Sequence, residues 1–239
     1  MEKTSRIFVA GHRGLVGSAL VRRLASEGYT NVRSAARADL DLTDSRAVRL
    51  LFERERPEFV FLAAARTGGI LANRTYPAEF IYSNLMIQTA VLHAAHLSGV
   101  RRLLFFGCAC AYPKAAPQPI KEELLLSGSL EPTSEPYAVA KLAGMKMCEA
   151  YNRQYRTAFV SVIPASVYGP HDHFDLESSH VLSALLAKFH RAKGGGAPVV
   201  VWGTGAPRRE FLYVEDLADA CLFLMGLDDS TFAAAVSCP

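Results

Sequence analysis

Two short stretches of the sequence carry side chains whose types and spacing could support chemistry. The stretch GCACAYP places Cys108 and Cys110 one residue apart, directly after an apolar run. The stretch YAVAK places Tyr137 and Lys141 four residues apart, which puts them on one face of a helix. A lysine ammonium beside a phenol lowers the pKa of the phenol and stabilises the phenolate. The second pair therefore predicts a proton donor for a carbonyl that is being reduced, although the spacing also occurs by chance on surface helices.

A glycine-rich turn, GHRGLVG, follows the first apolar run RIFVA. Gly11, Gly14 and Gly17 have the spacing G-x-x-G-x-x-G between a predicted strand and a predicted helix. Glycines there let the backbone approach a pyrophosphate, and the start of the helix offers unpaired N–H groups and a partial positive charge. The turn predicts dinucleotide binding, with Leu15 among the contacts. The alternative is a glycine-rich turn that binds no ligand.

The residues around the second predicted strand indicate which dinucleotide would bind. An NAD site usually offers an acidic residue to the ribose hydroxyls at this point, whereas this sequence reads RSAARADLDLTD. Arg37, together with Arg13 inside the glycine turn, would suit a 2′-phosphate, so we expect NADPH/NADP⁺ as the cofactor. Both arginines could instead be ordinary surface residues. Asp41 and Leu42 are expected to border the adenine.

The hydrophobic pattern predicts the elements that must position these residues. Short runs that are almost entirely apolar alternate with amphipathic segments, as is typical of strands covered on both faces. The predicted strands are 6–10, 31–35, 59–65, 102–107, 158–163 and 199–202, and the long predicted helices are 77–97 and 135–155. This alternation predicts an α/β fold, an NAD(P)-binding Rossmann fold with a doubly wound parallel sheet. We place an NADP-binding domain at residues 1–164 and a smaller C-terminal substrate lobe, interleaved with the last sheet elements, at residues 165–239.

Composition and charge exclude several classes of protein. The chain has 239 residues, half of them hydrophobic, and its net charge of +3 comes from scattered basic residues, so we expect no nucleic acid partner. It has neither an apolar signal core nor an apolar run long enough to span a membrane, so we expect no membrane contact and a cytoplasmic location. The five cysteines form no disulfide framework and suit a reducing compartment. A C-x-C pair without further cysteine or histidine neighbours does not supply four ligands, so no residue is assigned to a metal.

Longer stretches resemble a particular family. The stretches that carry the resemblance include AGHRGLVGSAL, LAAARTGGILANRTYPAEFIYSNLMI, GCACAYPK, LEPTSEPYAVAKLAG, SSHVLSALL and VWGTGAPRREFLYVEDLA. Together they resemble the GDP-L-fucose synthase family, which belongs to the extended short-chain dehydrogenase/reductases. The resemblance implies that GDP-4-keto-6-deoxy-D-mannose is epimerised at carbons 3 and 5, and that NADPH then reduces its 4-keto group to give GDP-L-fucose.

The resemblance also implies roles for individual positions. Cys110 and His180 would move protons during epimerisation. The simpler alternatives are that Cys110 is a buried side chain and that His180 is a capping or surface residue. Tyr137 would be the acid in the reduction, and Lys141 would contact the ribose and modulate the pKa of Tyr137. Contacts with the nucleotide sugar are implied for Ser166, Lys188, Trp202 and Arg209. The resemblance further implies a homodimer that pairs through the two long helices.

Three positions depart from the family pattern. Cys108 stands where the family has a serine that bonds the 4-keto oxygen, so we expect a poor substitute at a catalytic position. Ser166 replaces an asparagine, and Lys188 replaces an arginine. The chain also stops around the start of the family's last strand, so we expect a truncated substrate lobe, either because the chain is a fragment or because the lobe is reduced. The alternatives are a non-catalytic dinucleotide-binding protein of the same fold, or another nucleotide-sugar epimerase or dehydratase of the superfamily.

Overall fold

The computed structural model describes residues 1–176, 178–195 and 198–236. Its main sheet contains β1 (Ile7–Ala10), β2 (Val32–Arg33), β3 (Phe59–Leu62), β4 (Arg102–Phe106) and β5 (Phe159–Val162). The strand order is β2-β1-β3-β4-β5, and every neighbouring pair is parallel. The predicted doubly wound parallel sheet of the Rossmann fold is therefore confirmed.

Eight α-helices lie in the described part of the chain. They are α1 (Leu15–Ser26), α2 (Ser45–Glu55), α3 (Ile70–Thr75), α4 (Pro77–Leu97), α5 (Glu135–Tyr155), α6 (Val181–Ala192), α7 (Val214–Gly226) and α8 (Asp229–Val236). Two strands outside the main sheet, β6 (Ser166–Tyr168) and β7 (Phe211–Tyr213), pair with each other in parallel. None of the described helices combines the length and the apolar character that a membrane span requires.

The sheet separates two hydrophobic cores. Neighbouring residues of a strand point to opposite faces, so Phe8 and Phe105 lie in one core while Ile7 and Leu104 lie in the other. The first core is completed by α2, α4 and α5, and the second by α1, α7 and α8. Because both faces are covered, the strand segments are apolar throughout instead of alternating with polar residues.

The helices α4 and α5 have the bounds that the sequence predicts, 77–97 and 135–155. Each has a proline, Pro77 or Pro136, in its first turn, where a missing N–H costs no hydrogen bond. Arg156 ends α5 in the left-handed conformation, with φ of 59°. These local signals place Tyr137 and Lys141 in the first two turns of α5, next to the carboxyl end of β4.

Several predicted strands are longer than the observed ones, and one is absent. Segment 31–35 forms only the two-residue β2, and segment 59–65 ends as a strand at Leu62. Segment 199–202 is not a strand, and its Val200 and Trp202 are each 67% exposed. An isolated apolar run becomes a strand only where a neighbour accepts its backbone hydrogen bonds, and no described strand lies beside this one.

The helix α7 returns the chain to the second core. Leu217 and Cys221 of this helix are buried there, and Glu215 forms an ion pair of 2.5 Å with Arg22 of α1. The turn after α7 is held by Arg102, which is 2% exposed and donates hydrogen bonds to the carbonyl oxygens of Met225 at 2.9 Å and Leu227 at 2.6 Å. Residues that follow the first five strands thus help to bury the sheet.

Candidate active site

The glycine-rich turn connects the carboxyl end of β1 to the start of α1. Gly11 has φ of +87°, and a Cβ atom there would lie 2.6 Å from the backbone nitrogen of Ala64. A Cβ atom on Gly17 would collide with the carbonyl oxygen of Gly11. Glycine is therefore required at both positions, because the first turn of α1 lies directly against the ends of β1 and β3.

The start of α1 fits the pyrophosphate of a dinucleotide. Gly14 precedes the helix without a side-chain cap, and the first turn, which begins with Leu15, carries no acidic residue. The first backbone N–H groups and the partial positive charge of the helix are thus left to a ligand or to solvent. Because Gly11 and Gly14 carry no side chain, a phosphate can approach the N–H groups at the start of the helix. The residues of this turn therefore fit NADP(H).

The two arginines expected to bind a 2′-phosphate lie on the loops that follow the neighbouring strands β1 and β2. Arg13 is exposed in the glycine turn, and Arg37 is exposed in the loop after β2, the strand that pairs with β1. Asp41 accepts hydrogen bonds from the backbone nitrogen of Thr43 at 2.9 Å and from its hydroxyl at 2.8 Å. These bonds and, to a lesser degree, the charge of Arg37 lower the pKa of Asp41. Leu42 packs against the first core.

The cysteine pair lies at the start of a short 3₁₀ turn, Ala109–Ala111, just beyond β4: Cys108 precedes the turn and Cys110 lies within it. The Sγ atoms of Cys108 and Cys110 are 2.8 Å apart, and both thiols are free. Their hydrogen bond is the largest cause of a lowered pKa at Cys110 and of a raised pKa at Cys108. The positive charge of Lys141 and a hydrogen bond from Ser134 also lower the pKa of Cys110. The geometry therefore favours a thiolate at Cys110 and a protonated donor at Cys108.

The lysine of the Y-x-x-x-K pair is buried beneath the tyrosine. Lys141 is 3% exposed, and its Nζ donates a 2.8 Å hydrogen bond to the carbonyl oxygen of Phe106. The same Nζ lies 4.7 Å from the ring centroid of Phe105 and 5.9 Å from that of Tyr137. Burial lowers the pKa of Lys141 to about 8. Loss of hydration outweighs the support that the ammonium receives from the carbonyl and the ring.

The sequence predicts a lowered pKa for Tyr137, and this prediction is wrong. The pKa of Tyr137 is raised, chiefly by burial and to a lesser degree by its cysteine neighbours Cys108 and Cys110. Burial is the largest cause of this rise, because a phenolate loses its hydration when it is buried. Tyr137 is consequently a neutral phenol that holds a proton to donate.

We refer to Cys108, Cys110, Tyr137 and Lys141 as the thiol–tyrosine–lysine cluster. It lies where β4 ends and α5 begins, and β3 separates it from the glycine turn at the end of β1. In doubly wound sheets, ligands bind in the crevice outside the carboxyl ends of the strands. The cluster and the glycine turn are therefore at the same edge, on either side of one strand.

The segment that contains His180 is linked to this edge through α3 and α4. Phe80 packs edge-on against Tyr137, with ring centroids 6.3 Å apart. A Cβ on Gly68 would lie 3.2 Å from the Phe80 ring, and the nitrogen of Gly69 donates a 2.8 Å hydrogen bond to the carbonyl of Ser178. His180 is exposed immediately before α6. In the described ranges no hydrogen bond joins His180 to the thiol–tyrosine–lysine cluster.

The residues expected to contact substrate form two pairs on the remaining elements. Lys188 of α6 donates a 2.9 Å hydrogen bond to the carbonyl of Val200, and its Nζ lies 5.2 Å from the Trp202 ring. Ser166, at the start of β6, donates its backbone N–H to the carbonyl of Glu210, the residue after Arg209. Arg209 is exposed. The structure thus brings Lys188 to Trp202 and Ser166 to the Arg209 segment.

Two polar residues escaped the sequence analysis. Ser134, which precedes α5, supplies a hydrogen bond that lowers the pKa of Cys110. Its position three residues before Tyr137 could have indicated it, because residues with this spacing share a helix face. Asn84 is 2% exposed on α4 and forms 3.0 Å hydrogen bonds with both the nitrogen and the carbonyl of Arg66. The sequence signal for Asn84 was a polar residue within an apolar helix. In the structure, Asn84 holds the loop after β3 in place.

Comparisons with known proteins connect this site to a family. The model of the NAD dependent epimerase/dehydratase family matches residues 7–233. GDP-L-fucose synthase 1 of Arabidopsis thaliana is 57% identical over 94% of this chain and 70% of its own length. GDP-L-fucose synthase of Escherichia coli K12 is 55% identical over 93% of this chain and 70% of its own length.

A solved structure agrees with the sequence relatives. The GDP-L-fucose synthetase of Naegleria fowleri bound to NADP has a TM-score of 0.86 and 32% identity, covering 94% of this chain and 74% of its own. The glycine turn, the doubly wound sheet and the Tyr137–Lys141 pair are consistent with that likeness. The chain therefore belongs to the NAD dependent epimerase/dehydratase family and, within it, to the GDP-L-fucose synthases.

Proposed function

We propose that this chain epimerises GDP-4-keto-6-deoxy-D-mannose at carbons 3 and 5 and reduces its 4-keto group with NADPH, giving GDP-L-fucose. The observation that carries the proposal is the thiol–tyrosine–lysine cluster beside the glycine turn. A thiol with a lowered pKa, a neutral phenol and a buried lysine are the groups that a combined epimerase and reductase needs. The identity to GDP-L-fucose synthases supports the choice of substrate.

The cofactor would be held mainly by the turn and first helix. Its pyrophosphate would lie against Gly14 and Leu15, and its 2′-phosphate would be bound by Arg13 and Arg37. When bound, NADPH supplies the hydride that reduces carbon 4. Asp41 and Leu42 border the adenine in this proposal, and Lys141 contacts the ribose.

The epimerisation requires a base and an acid on opposite faces of the sugar. Cys110 is the proposed base, because its lowered pKa increases the thiolate fraction that can remove a proton made acidic by the neighbouring ketone. His180 is the proposed acid, exposed at the start of α6 where it can meet the opposite face. The hydrogen bond from Gly69 to Ser178 supports this role, since it holds the segment before His180 against the edge that carries Tyr137.

The reduction requires a proton at the 4-oxygen. Tyr137 is the proposed donor, because its raised pKa keeps it protonated until negative charge develops on that oxygen. The Lys141 ammonium, fixed by the Phe106 carbonyl, stabilises the phenolate that remains. Cys108 is the proposed second donor to the same oxygen. Ser166, Lys188, Trp202 and Arg209 are proposed to hold the nucleotide sugar.

Two variants separate the two reactions. Tyr137→Phe should still exchange deuterium from heavy water into carbons 3 and 5, but it should not oxidise NADPH. Cys110→Ala should lose the exchange and reduce the unepimerised ketone slowly. Tyr151→Phe and Cys148→Ala are matched controls on the same helix, outside the cluster, and should retain both reactions. A wild-type chain that shows neither exchange nor NADPH oxidation would overturn the proposal.

We propose that the chain forms a homodimer through α4 and α5. The outer surfaces of these helices expose apolar and aromatic side chains, with Tyr82 63%, Leu97 57% and Tyr155 47% exposed. Long helices with such faces can form a four-helix interface with a second copy. In light scattering, Leu97→Glu should dissociate the dimer, whereas Leu126→Glu, on an exposed loop leucine, should not. Wild-type protein at micromolar concentration with the mass of one chain would contradict this.

We also propose that the protein works in the cytoplasm. The four described cysteines, 108, 110, 148 and 221, are free thiols. Free thiols in close contact persist most readily in a reducing compartment. Fractionation of cells that produce the natural protein tests the location, and recovery with membranes or in an extracellular fraction would contradict it.

A further inference from the structure

The cysteine pair offers chemistry that the proposed mechanism does not use. The turn after β4 is closed by hydrogen bonds from the nitrogen of Ala111 to the carbonyl of Cys108 at 3.1 Å and from Tyr112 to Ala109 at 3.2 Å. It brings the sulfur of Cys108 to 2.8 Å from the sulfur of Cys110. A disulfide has a sulfur separation of about 2.05 Å, so the two side chains need only a small further approach. A second thiol therefore lies in direct contact with the proposed base.

The other described cysteines are in different surroundings. Cys148 and Cys221 are each 2% exposed, and burial raises the pKa of both thiols to about 12. Cys108 and Cys110 are partly exposed at the open edge of the sheet, and Lys141 provides a positive charge beside them. Thiol reactivity follows thiolate content and access, so it is concentrated in this pair.

We propose that Cys108 and Cys110 form an oxidative modification site, in which a hydroperoxide oxidises Cys110 and Cys108 then closes an intramolecular disulfide. The site depends on the cysteine at position 108, where the family resemblance implies a serine. Its effect on catalysis rests on the proposed function, because a disulfide would remove both the base Cys110 and the donor Cys108. Formation of the disulfide does not depend on any activity of the protein.

The reaction proceeds in two balanced steps with hydrogen peroxide. The thiolate of Cys110 attacks one oxygen, so an S–O bond forms, the O–O bond breaks, and the departing hydroxide takes up a proton to become water. The sulfur of Cys108 then gives up its proton and attacks the sulfenic sulfur, forming the S–S bond and releasing a second water. Two thiols and one peroxide thus become one disulfide and two waters.

The order of the two steps follows from the hydrogen bond. That bond is the largest cause of the raised pKa of Cys108, and it favours attack by Cys110 first. Oxidation of Cys110 removes the thiolate that Cys108 was bonded to, so Cys108 becomes easier to deprotonate. With serine at position 108 no resolving thiol is present, and further peroxide would convert Cys110 to sulfinic acid, which thiol reductants do not reverse.

The test uses the full chain, reduced and then freed of reductant. Protein is treated with hydrogen peroxide, remaining thiols are blocked with N-ethylmaleimide, and tryptic peptides are weighed. Peptide 103–114 ends at Lys114 and contains Cys108 and Cys110 but no other cysteine. In oxidised wild type we expect this peptide to carry no N-ethylmaleimide. Its mass should be lower by two hydrogen atoms than that of the same peptide with two free thiols. Peptide 147–153, which contains Cys148 and no other cysteine, is the internal control and should not be oxidised.

The variants Cys108→Ser and Cys108→Ala extend the test to function. Peroxide should lower wild-type NADPH oxidation about tenfold or more, with recovery in dithiothreitol, whereas both variants should lose activity without recovery. The proposal would be overturned if, after peroxide treatment, wild-type peptide 103–114 carried N-ethylmaleimide on both cysteines. It would also be overturned if Cys110 in this peptide were converted to sulfinic acid without a disulfide being formed. A disulfide in a chain that is inactive even when reduced would support the modification site and contradict the proposed function.

Discussion

Replacement of Cys108 by serine should accelerate the reduction of the 4-keto group. Cys108 is partly buried beside Tyr137 and Lys141, and its raised pKa keeps it as a neutral thiol. A thiol is a weak hydrogen-bond donor, so it should stabilise negative charge on the 4-oxygen less than a hydroxyl would. When Cys110 is the thiolate, the thiol hydrogen of Cys108 is also directed to the sulfur of Cys110, 2.8 Å away, which reduces what it can offer to substrate.

The size of the gain follows from the usual strength of such a donor. Loss of one good donor at a developing oxyanion costs roughly 2.7–4 kcal/mol, and a thiol should forfeit only part of it. A recovered stabilisation of about 1.4–2.7 kcal/mol corresponds to a rate increase of roughly ten- to a hundredfold. Single-turnover NADPH oxidation, measured with a thiol reductant present, should therefore rank Cys108→Ser above wild type and wild type above Cys108→Ala.

Two further measurements make the comparison decisive. Deuterium exchange at carbons 3 and 5 should change much less than reduction in Cys108→Ser, because Cys110 remains and a serine hydroxyl can still donate a hydrogen bond to its sulfur. NADPH titrations should give equal affinities, because Cys108 is not among the cofactor contacts. A folded serine variant that binds NADPH normally and reduces no faster than wild type would refute the reasoning about the donor at position 108.

Three other substitutions or conditions test the cofactor site and the lysine. Arg37→Ala should weaken NADPH binding about tenfold or more and leave NADH binding nearly unchanged, and equal losses would reject a 2′-phosphate contact. Reduction should slow as pH rises through about 8, the pKa of Lys141, since the ammonium is present below that pH and lost above it. A rate that stays constant from about pH 7 to pH 9 would contradict this role. Gly17→Ala should disrupt NADPH binding in fluorescence titrations, because its Cβ would collide with the Gly11 carbonyl, whereas Gly226→Ala, with no atom near its Cβ, should bind normally.

The sequence by itself determined the elements that depend on local signals. The long helices 77–97 and 135–155 have their predicted bounds because proline at the start and periodic apolar residues act within a few turns. The strand positions around the glycine turn were visible for the same reason, since a run buried on both faces is apolar throughout. Even the chemical pairs Tyr137–Lys141 and Cys108–Cys110 follow from spacing alone.

Only the tertiary structure decided the features that depend on distant parts of the chain. Segment 199–202 has a strand-like composition but no described strand beside it, so its apolar side chains remain exposed. The raised pKa of Tyr137 and the lowered pKa of Lys141 come from burial, which β4 and α4 create and which helical spacing does not reveal. The 2.8 Å contact between the two cysteines likewise depends on how one turn folds against the end of β4. Propensity and capping act over a few residues, whereas strand pairing and desolvation are properties of the packed chain.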